Sequence, residues 1–372
     1  MILQLYIKMD KIVSELESLK LTKKKKFGQF FTTKWEKIFR GMSIPKDTKK
    51  IIEPFAGNGD LLNFVEKKDV EIIMYDVDPK IDGTIKQDTI KEPPTYTGTY
   101  VLTNPPYLAN NKTMGVEKKK QCKEQNVDDL YKLFISQLID DPPDGGIIII
   151  PINFLSSVRK NDISLRKKWF STFIIQTINI FEEPVFSDTS YAVCAIQFKL
   201  NTDKEKYITN VVFYPSGDEK QIDILDNSKV IIGGHIHDFP KKSNVKISRA
   251  TSKNKSSDGL SNIKIRCLDN NKDVMISAII VENDDIFIDE TKRLSARTFM
   301  SPVFDPPVDK KIQKVLVKEF NEIMKTNRSE YRSMFLSTYR EGKNGFLRKR
   351  ITFTLIYQIL HHILEKQPMN SD

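Results

Sequence analysis

The segment Thr103–Tyr107 (TNPPY) combines a side-chain amide, two prolines and an aromatic ring directly after an apolar stretch. An aromatic exocyclic amine is a poor nucleophile, because its lone pair is delocalised into the ring. Two acceptors aimed at its hydrogens would draw the nitrogen towards tetrahedral geometry and free that lone pair. The Asn104 side-chain oxygen and the Pro105 carbonyl can be these acceptors, since the amide is uncharged and Pro105 and Pro106 fix the backbone. Tyr107 would stack on the base, a contact worth roughly 1–3 kcal/mol. We predict a catalytic tetrapeptide here; the alternative is an ordinary proline-rich turn.

A glycine-containing turn precedes this segment. Residues Ile51–Asp60 (IIEPFAGNGD) are expected to end a strand and open a helix. Glycines at such a turn let a ligand approach the backbone closely. The Glu53 carboxylate at the strand end suits a cationic amino group or a ribose hydroxyl. Taken alone, the pattern also fits a tight turn with no ligand.

Acidic residues also follow the next strand and precede the one after it. Asp76 ends the second strand, where a carboxylate in a doubly wound sheet commonly accepts hydrogen bonds from a ribose hydroxyl. Asp78 is the second candidate, and helix capping is the alternative for either residue. Asp88 could accept a hydrogen bond from an adenine amino group.

Strands and helices alternate through the first half of the chain, which predicts an α/β fold with a mostly parallel sheet and helices on both faces. The strand candidates are Ile51–Glu53, Glu71–Tyr75, Tyr100–Thr103, Gly146–Pro151, Phe173–Asn179 and Tyr191–Leu200. The helix candidates are residues 10–20, Leu61–Lys67 and Asp129–Asp140.

The pattern changes from about residue 205, which predicts a domain boundary there. Short mixed segments surround a Ser/Lys/Asn-rich stretch at Lys241–Asn262, whose composition is typical of a mobile or partner-ordered loop. Three helices are predicted at residues 307–326, 328–341 and 346–365.

Three segments in order resemble the γ-class amino-methyltransferases, the adenine-N6 enzymes of type II restriction–modification found in bacteria and some large DNA viruses. They are Lys26–Thr32 (KFGQFFT), Glu53–Gly59 (EPFAGNG) and Asn104–Tyr107 (NPPY). The resemblance covers about residues 24–200 and is specific, because order and spacing match as well as the motifs. It implies a Rossmann-like S-adenosylmethionine-dependent methyltransferase domain with a seven-stranded sheet at residues 1–205. It also implies a smaller C-terminal α+β target-recognition domain at residues 206–372.

The resemblance implies roles for individual residues. Thr32 would contact the methionine end of S-adenosylmethionine with Glu53 beside it, Asp76 would hold the ribose, and Asp88 the cofactor adenine. Phe186 would be a second stacking ring, although it could equally be ordinary core, and the match weakens after it. The full implied cofactor-binding set is Phe27, Thr32, Glu53, Pro54, Ala56, Gly57, Gly59, Asp76, Val77, Asp88 and Asn104.

The charge balance favours a polyanionic partner. Lys plus Arg number 59 against 49 Asp plus Glu, a net charge of +10, although solvated surface lysines would give the same balance. Double-stranded DNA is the expected partner, and its target base must be flipped out of the duplex to react. The expected DNA-binding residues are Arg249, Lys253, Arg328, Arg332, Arg340, Lys343, Arg348, Lys349 and Arg350.

Several classes of protein do not fit the composition. Three cysteines without CxxC spacing and four dispersed histidines indicate neither a disulfide framework nor a metal site. The longest uninterrupted apolar run, Ile147–Ile150, is far too short to span a membrane. We expect a monomeric, intracellular protein of the bacterial cytoplasm or of a virus-infected cell. With no PD…(D/E)xK-like nuclease pattern in the chain, any cognate restriction endonuclease would act separately.

Three other functions remain open from the sequence. Enzymes that methylate glutamine in release factors also use an NPPY tetrapeptide, but they carry a helical domain before the glycine turn and little after the catalytic domain. Only about 50 residues precede Glu53 here, and a long basic region follows. Adenine in structured RNA is a second possible substrate. A catalytically silent DNA-binding subunit is the third, against which the intact Asn104–Tyr107 segment argues.

Overall fold

The chain folds into two compact units in this computed structural model. The first comprises Met1–Ile152 and Arg159–Val230, and the second Asn153–Val158 and Ile231–Asp372. The structure describes residues 32, 34–66, 69–110, 115–186, 192–204, 206–223, 233–255, 257–269, 274–290, 298–336, 338–341 and 347–367. Phe27, Lys343 and the predicted helix at residues 10–20 lie outside the described residues.

The first unit is built on one large sheet. Its strands are β1 Lys50–Glu53, β2 Glu71–Asp76, β3 Ile85–Lys86, β4 Tyr100–Thr103, β5 Gly145–Pro151, β6 Phe173–Phe181, β7 Val193–Leu200, β8 Ile208–Tyr214 and β9 Asp218–Asp223. Their order is β3-β2-β1-β4-β5-β7-β6-β8-β9. Strands β1 to β5 pair in parallel, as do β6 and β8, whereas β7 runs antiparallel to both its neighbours and β9 antiparallel to β8. The predicted Rossmann-like architecture is confirmed.

The number of strands differs from the expected seven. Strands β8 and β9 continue the sheet beyond β6, so nine strands are hydrogen-bonded within the described residues. For the same reason the first unit runs on to Val230, past the boundary expected at residue 205. In β8 the consecutive residues Val211, Val212 and Phe213 are all buried, so this strand is part of the core of the first unit.

Helices in the first unit lie between the strands. They are α1 Trp35–Ile38, α2 Val116–Glu124, α3 Leu130–Asp140 and α5 Lys160–Thr172, with a 3-10 helix at Asp60–Phe64. The run Ile147–Ile150 in β5 is fully buried, as expected for a central strand covered on both faces. Helix α3 is buried almost throughout its length.

The strand order changes direction between β1 and β4. The chain proceeds from β1 outwards to β3 on one side and from β4 to β5 on the other. In open parallel sheets a crevice forms outside the carboxyl ends of the strands at such a switch point, and ligands bind there. The ends of β1, β2 and β4 carry Glu53, Asp76 and Asn104, so the topology brings these three residues to one edge.

Within its described residues, the second unit has three small sheets and three α-helices. The strands are β10 Lys246–Arg249, β11 Ile263–Arg266, β12 Leu268–Asp269, β13 Ser277–Ile280, β14 Phe299–Met300, β15 Pro302–Asp305, β16 Thr338–Glu341 and β17 Leu347–Arg350. Their orders are β10-β15, β13-β11-β14 and β12-β17-β16. The helices are α4 Asn153–Ser156, α6 Lys310–Tyr331 and α7 Phe353–Glu365.

Helices α6 and α7 begin at side-chain caps. The Asp309 carboxylate accepts a hydrogen bond from Ile312 N, and the Thr352 hydroxyl accepts one from Leu355 N. These caps satisfy backbone donors that a first helical turn leaves unpaired. Among the described residues, no helix has both the length and the apolar character needed to cross a bilayer.

The helix predicted at residues 328–341 is wrong beyond Tyr331. Arg332 adopts a left-handed backbone conformation with φ of 52°, which ends α6. Residues Thr338–Glu341 then pair antiparallel with Leu347–Arg350. Antiparallel pairing with the next strand therefore overrides the local helical preference of these Arg- and Lys-rich segments, and the helix predicted at residues 346–365 begins only at Phe353.

Candidate active site

One pocket at the carboxyl ends of β1, β2 and β4 brings most of the expected cofactor residues together. The expected residues that line it are Thr32, Glu53, Pro54, Ala56, Gly57, Asp76, Val77, Asp88, Asn104 and Pro106. Lining residues that were not given a role from the sequence are Phe55, Asp60, Leu61, Gln87, Thr89, Ile90, Lys118 and Leu130. Gly59, Pro105 and Tyr107 are not among the residues that line the pocket.

The glycine turn after β1 has a conformation that other residues rarely adopt. Gly57 and Gly59 have φ values of 55° and 75°. A Cβ on Gly59 would lie 2.8 Å from the Ile81 side chain. The turn is fixed from below by Asp76, whose Oδ2 accepts a hydrogen bond from Gly57 N at 2.9 Å. Both the backbone conformation and the space at Gly59 therefore favour glycine.

Glu53 is a buried acid facing this pocket, with 1% of its surface exposed. Its Oε2 has no hydrogen-bond partner within the described residues. Burial, followed by the nearby Asp60 and Asp76 carboxylates, raises the pKa of Glu53 well above its ordinary value. Buried polar atoms normally have a partner, so a ligand that supplies a cationic amino group would satisfy this one.

Asp76 has two roles available to it. Its Oδ1 accepts a hydrogen bond from Asp78 N at 2.8 Å, in addition to the Oδ2 contact with the glycine turn. Each carboxylate oxygen can accept more than one hydrogen bond. Asp76 can therefore hold the turn and still accept a hydroxyl from a ligand in the pocket, whereas Asp78 does not line the pocket.

Asp88 is paired with a lysine that the sequence did not single out. Lys118 Nζ lies 2.8 Å from Asp88 Oδ2, and both side chains are partly exposed at the pocket. Lys118 belongs to α2, within the Lys-rich segment after the tetrapeptide. The run Lys118–Lys120 was the only signal, and a run of lysines does not indicate which member faces a pocket.

Two further contacts hold the walls in place. The Thr89 hydroxyl donates to the Pro54 carbonyl oxygen at 2.9 Å and joins the segment after β3 to the turn after β1. Asp129 Oδ1 accepts a hydrogen bond from Leu108 N at 2.9 Å, which fixes the chain directly after the tetrapeptide. Burial raises the pKa of Asp129 to about 7.

The Asn104 amide is held by residues from distant parts of the chain. Its Nδ2 donates to Thr32 Oγ1 at 3.1 Å, and its Oδ1 lies 2.6 Å from the Tyr107 hydroxyl. That hydroxyl is also 2.9 Å from the Ile149 carbonyl oxygen, and its single proton can serve only one acceptor at a time. A carbonyl oxygen has two lone pairs, so Asn104 Oδ1 can accept a second hydrogen bond from a ligand.

The two rings expected to stack on a base are both buried in this structure, and their stacking on a base remains a prediction. Tyr107 is 2% exposed and packs edge-to-face on Tyr131, with ring centroids 5.9 Å apart. Burial raises the pKa of Tyr107 well above its ordinary value, so its hydroxyl remains a donor. Phe186 is also buried. The reason is packing: Tyr107 is directed into the core, where it orients Asn104 instead of facing a ligand.

Several expected DNA-binding residues are engaged within the second unit. Arg328 makes a two-pronged ion pair with the buried Asp269, at 2.8 and 2.9 Å. Arg249 pairs with Asp289 at 2.6 Å and lies over the Phe353 ring. These contacts stabilise the unit and occupy the guanidinium groups, so neither arginine is presented as an unpaired surface charge.

The remaining basic candidates are placed differently. Arg332 ends α6, while Arg348, Lys349 and Arg350 lie on β17 and are partly exposed. Arg340 lies on β16, opposite Arg348. Lys349 Nζ donates to Ser333 Oγ at 3.0 Å. Lys253 is exposed in the loop after β10.

Metal chemistry was not expected from the sequence. Within the described ranges, no three His, Cys, Asp or Glu side chains are grouped closely enough to hold a metal ion. The three cysteines are free thiols, each buried in the fold.

Comparisons with known proteins give one family and several distant structures. Residues 7–186 match the family described as Eco57I restriction-modification methylase. No curated protein matches the chain at a significant level.

Among solved structures, the chain is similar to a modification subunit of a putative type I restriction enzyme from Vibrio vulnificus, with 15% identity and a TM-score of 0.39 over 57% of this chain and 53% of that one. It is similar to a putative class I S-adenosylmethionine-dependent methyltransferase from Listeria monocytogenes, with 18% identity and a TM-score of 0.36 over 48% and 61%. A type I restriction-modification methyltransferase subunit from Streptococcus thermophilus gives 15% identity and a TM-score of 0.36 over 50% and 47%. The match thus spans about half to three fifths of the length of these structures, and at these TM-scores nothing about activity follows from them.

Proposed function

Because residues 7–186 match the Eco57I restriction-modification methylase family, we propose that the chain methylates N6 of an adenine flipped out of duplex DNA, using S-adenosylmethionine. One observation carries the proposal. The Asn104 amide lies in the wall of the pocket that the unpartnered Glu53 carboxyl also lines. A methyl acceptor at Asn104 and a donor held beside Glu53 would share one site.

The chemistry of the pocket fits S-adenosylmethionine. The Glu53 carboxyl suits the cofactor's ammonium group, Asp76 a ribose hydroxyl, and Asp88 the amino group of its adenine. The glycine turn at Gly57 leaves the backbone open to a close ligand. When bound, S-adenosylmethionine supplies an electrophilic methyl group on a sulfonium centre.

The residues of the tetrapeptide would make the amine nucleophilic. Asn104 Oδ1 accepts one hydrogen of the amine with its second lone pair, and the Pro105 carbonyl accepts the other. These contacts draw the lone pair out of conjugation with the ring and aim it at the methyl group. The extra proton on the methylated nitrogen passes to water, because both neutral acceptors are too weakly basic to keep it.

Thr32 and Tyr107 would act as positioning residues. Thr32 Oγ1 accepts from the amide nitrogen and the Tyr107 hydroxyl contacts the amide oxygen, so the amide plane is fixed at both ends. Preorganised polar groups reduce the reorganisation needed during reaction. The base itself must leave the duplex to reach this pocket, at a cost of a few kcal/mol.

Incubation with S-adenosylmethionine labelled in the methyl group tests this function. The full chain is mixed separately with duplex DNA, structured RNA and a protein rich in exposed glutamine, with Asn104→Ala as the matched blank. We expect label in DNA alone, mapping to adenine on sequencing, and none with the variant. Label in RNA or protein would show that the proposed substrate is wrong. No label in DNA, RNA or protein would indicate a catalytically silent binding subunit.

A further inference from the structure

A second pocket lies entirely within the second unit. It has a volume of about 500 Å³ and lies between residues 241–247 and helix α7. Lys241, Lys242 and Lys246 line it and are exposed. Within the described part of the chain, none of these three lysines is within ion-pair distance of an acid. Their charges are therefore available to a ligand, unlike those of Arg249 and Arg328.

A buried histidine also lines this pocket. His361 is 6% exposed, and its Nδ1 lies 2.8 Å from Ser243 Oγ. When Nδ1 accepts the hydroxyl proton of Ser243, Nε2 carries the ring proton, and no described residue accepts from it. Burial, opposed by the Glu365 carboxylate, lowers the pKa of His361. Ser243 Oγ also lies 3.2 Å from the Val245 carbonyl oxygen, so its proton has two possible acceptors. In the tautomer that carries the proton on Nε2, the ring is a neutral donor that suits an anionic oxygen.

One acid lines the same pocket. Asp305 lies on β15 directly opposite Lys246 on β10, and it is exposed. Three lysines against one carboxylate leave the pocket with a net positive charge. The pocket therefore favours an anion, and Asp305 would oppose it.

We propose that this pocket binds a backbone phosphate of DNA, so that the phosphate-contacting surface of the second unit lies at Lys241, Lys242, Lys246 and His361. The inference rests on the proposed function, which requires a duplex to be held while a base is extruded. Lysine ammonium groups act as point charges for phosphate, and phosphate contacts fix position without reading sequence. Two of the arginines that the sequence suggested as phosphate contacts, Arg328 and Arg249, instead form ion pairs with Asp269 and Asp289.

The salt dependence of DNA binding tests the site. The full chain, its Lys241→Ala/Lys242→Ala/Lys246→Ala variant and a control variant are titrated with a labelled duplex at several salt concentrations. The control, Lys310→Ala/Lys311→Ala/Lys314→Ala, removes the same charge from exposed positions on α6. Each lost phosphate contact reduces the slope of log K against log salt by about 0.9. We expect the pocket variant to lose about 0.9 from the slope, the value for the one phosphate that the pocket would hold, and the control to keep the native slope.

A variant that is expected to bind DNA more tightly distinguishes a change at the site from loss of binding through misfolding. Asp305→Asn should bind DNA several-fold more tightly, because it removes the acid that opposes the phosphate, and a misfolded variant would not bind more tightly. Equal slopes for the pocket variant and the control, or weaker binding by Asp305→Asn, would overturn the site.

Competition with inorganic phosphate distinguishes a free anion from DNA. If the pocket variant loses phosphate binding but keeps the native DNA slope, the ligand is a small anion and the DNA assignment is wrong. If the unaltered chain methylates DNA while the slopes do not separate, only the site fails. If the unaltered chain neither binds nor methylates DNA, the proposed function fails.

Discussion

The pocket beside Asn104 and the pocket beside His361 are opposite in charge and in construction. The first is lined by four acids and one lysine, and two of its carboxylates, Glu53 and Asp76, stand at the ends of parallel strands. The second is lined by three lysines and one acid, with the lysines exposed.

This contrast corresponds to two kinds of ligand. A small cationic ligand needs buried acids fixed at a few ångströms, which the backbone of a central sheet can provide. A long polyanion is attracted by exposed charge whose position is less strict. Changes in the first pocket should therefore alter turnover and those in the second should alter affinity. Three variants in or beside the first pocket and one at Arg328, which lines neither pocket, test this division.

The largest expected effect is on Asn104. Asn104→Ala removes the acceptor for the amine, and we expect turnover to fall by at least roughly 1,000-fold, or about 4 kcal/mol of transition-state stabilisation. Cofactor and DNA affinity should stay within a few-fold of native, as measured by calorimetry and duplex titration. An equal loss of DNA affinity would show that the two pockets are not separable.

Arg328 tests whether the arginine cluster stabilises the fold instead of binding DNA. Arg328→Ala leaves the buried Asp269 carboxylate without its partner, which should lower the free energy of unfolding by about 2–4 kcal/mol. Denaturant unfolding measures this, with exposed Lys325→Ala on the same helix as the control. The slope of log K for DNA against log salt should not change. A shallower slope would show that Arg328 contacts DNA.

Tyr107 separates positioning from stacking. Tyr107→Phe keeps the ring but loses the hydroxyl that orients Asn104, and we expect kcat to fall about 10-fold, or about 1.4 kcal/mol, with KM for DNA unchanged. Tyr96→Phe is the control, since its buried hydroxyl has no hydrogen-bond partner in the described residues. Native turnover in Tyr107→Phe would argue for a ring that meets the base after a rearrangement.

Glu53 gives the smallest expected effect, and it depends on pH. Because the pKa of Glu53 is raised in the folded state, its contribution to stability is present below the unfolded pKa and is lost as pH rises towards the folded pKa. Glu53→Gln mimics the neutral acid and does not titrate. Its Tm should match that of the native chain near pH 4 and exceed it by roughly a few degrees at pH 8.

The control for this comparison is Glu36→Gln, which changes an exposed glutamate. Its Tm difference from the native chain should not grow with pH. A Glu53→Gln curve parallel to the native one would mean that the pKa of Glu53 does not differ between the folded and unfolded chain. The same variant should bind S-adenosylmethionine more weakly, because it cannot offer a carboxylate to the ammonium group.

The cofactor pocket could be predicted from the sequence because local patterns identify the strands that its residues follow. Glu53, Asp76 and Asn104 each follow a recognisable strand, and parallel strands bring their carboxyl ends to one edge. Thr89 and Lys118 were not accessible in this way. Their contributions depend on how segments 35 and 30 residues from their partners are packed, which no local pattern encodes.

The second unit shows why charge alone is a weak guide. Arg249 and Arg328 belong to basic segments, but their acidic partners lie 40 and 59 residues away along the chain. The predicted helix at 328–341 fails for a related reason, since Arg332 turns the chain and β16 pairs with β17, which in turn pairs with β12 about 80 residues earlier in the chain. Composition indicated that the region is basic, but ion pairs with distant acids decide which positive charges remain available to a ligand.

The added strand β9 has a consequence for how the large sheet ends. It is the last strand in the order, and outermost strands can recruit foreign chains through their open backbone groups. Its sequence, Asp218–Asp223 (DEKQID), has four charged side chains in six residues. A second molecule laid against this border would bring like charges together at close range, so the strand that enlarges the sheet also discourages its growth into an aggregate.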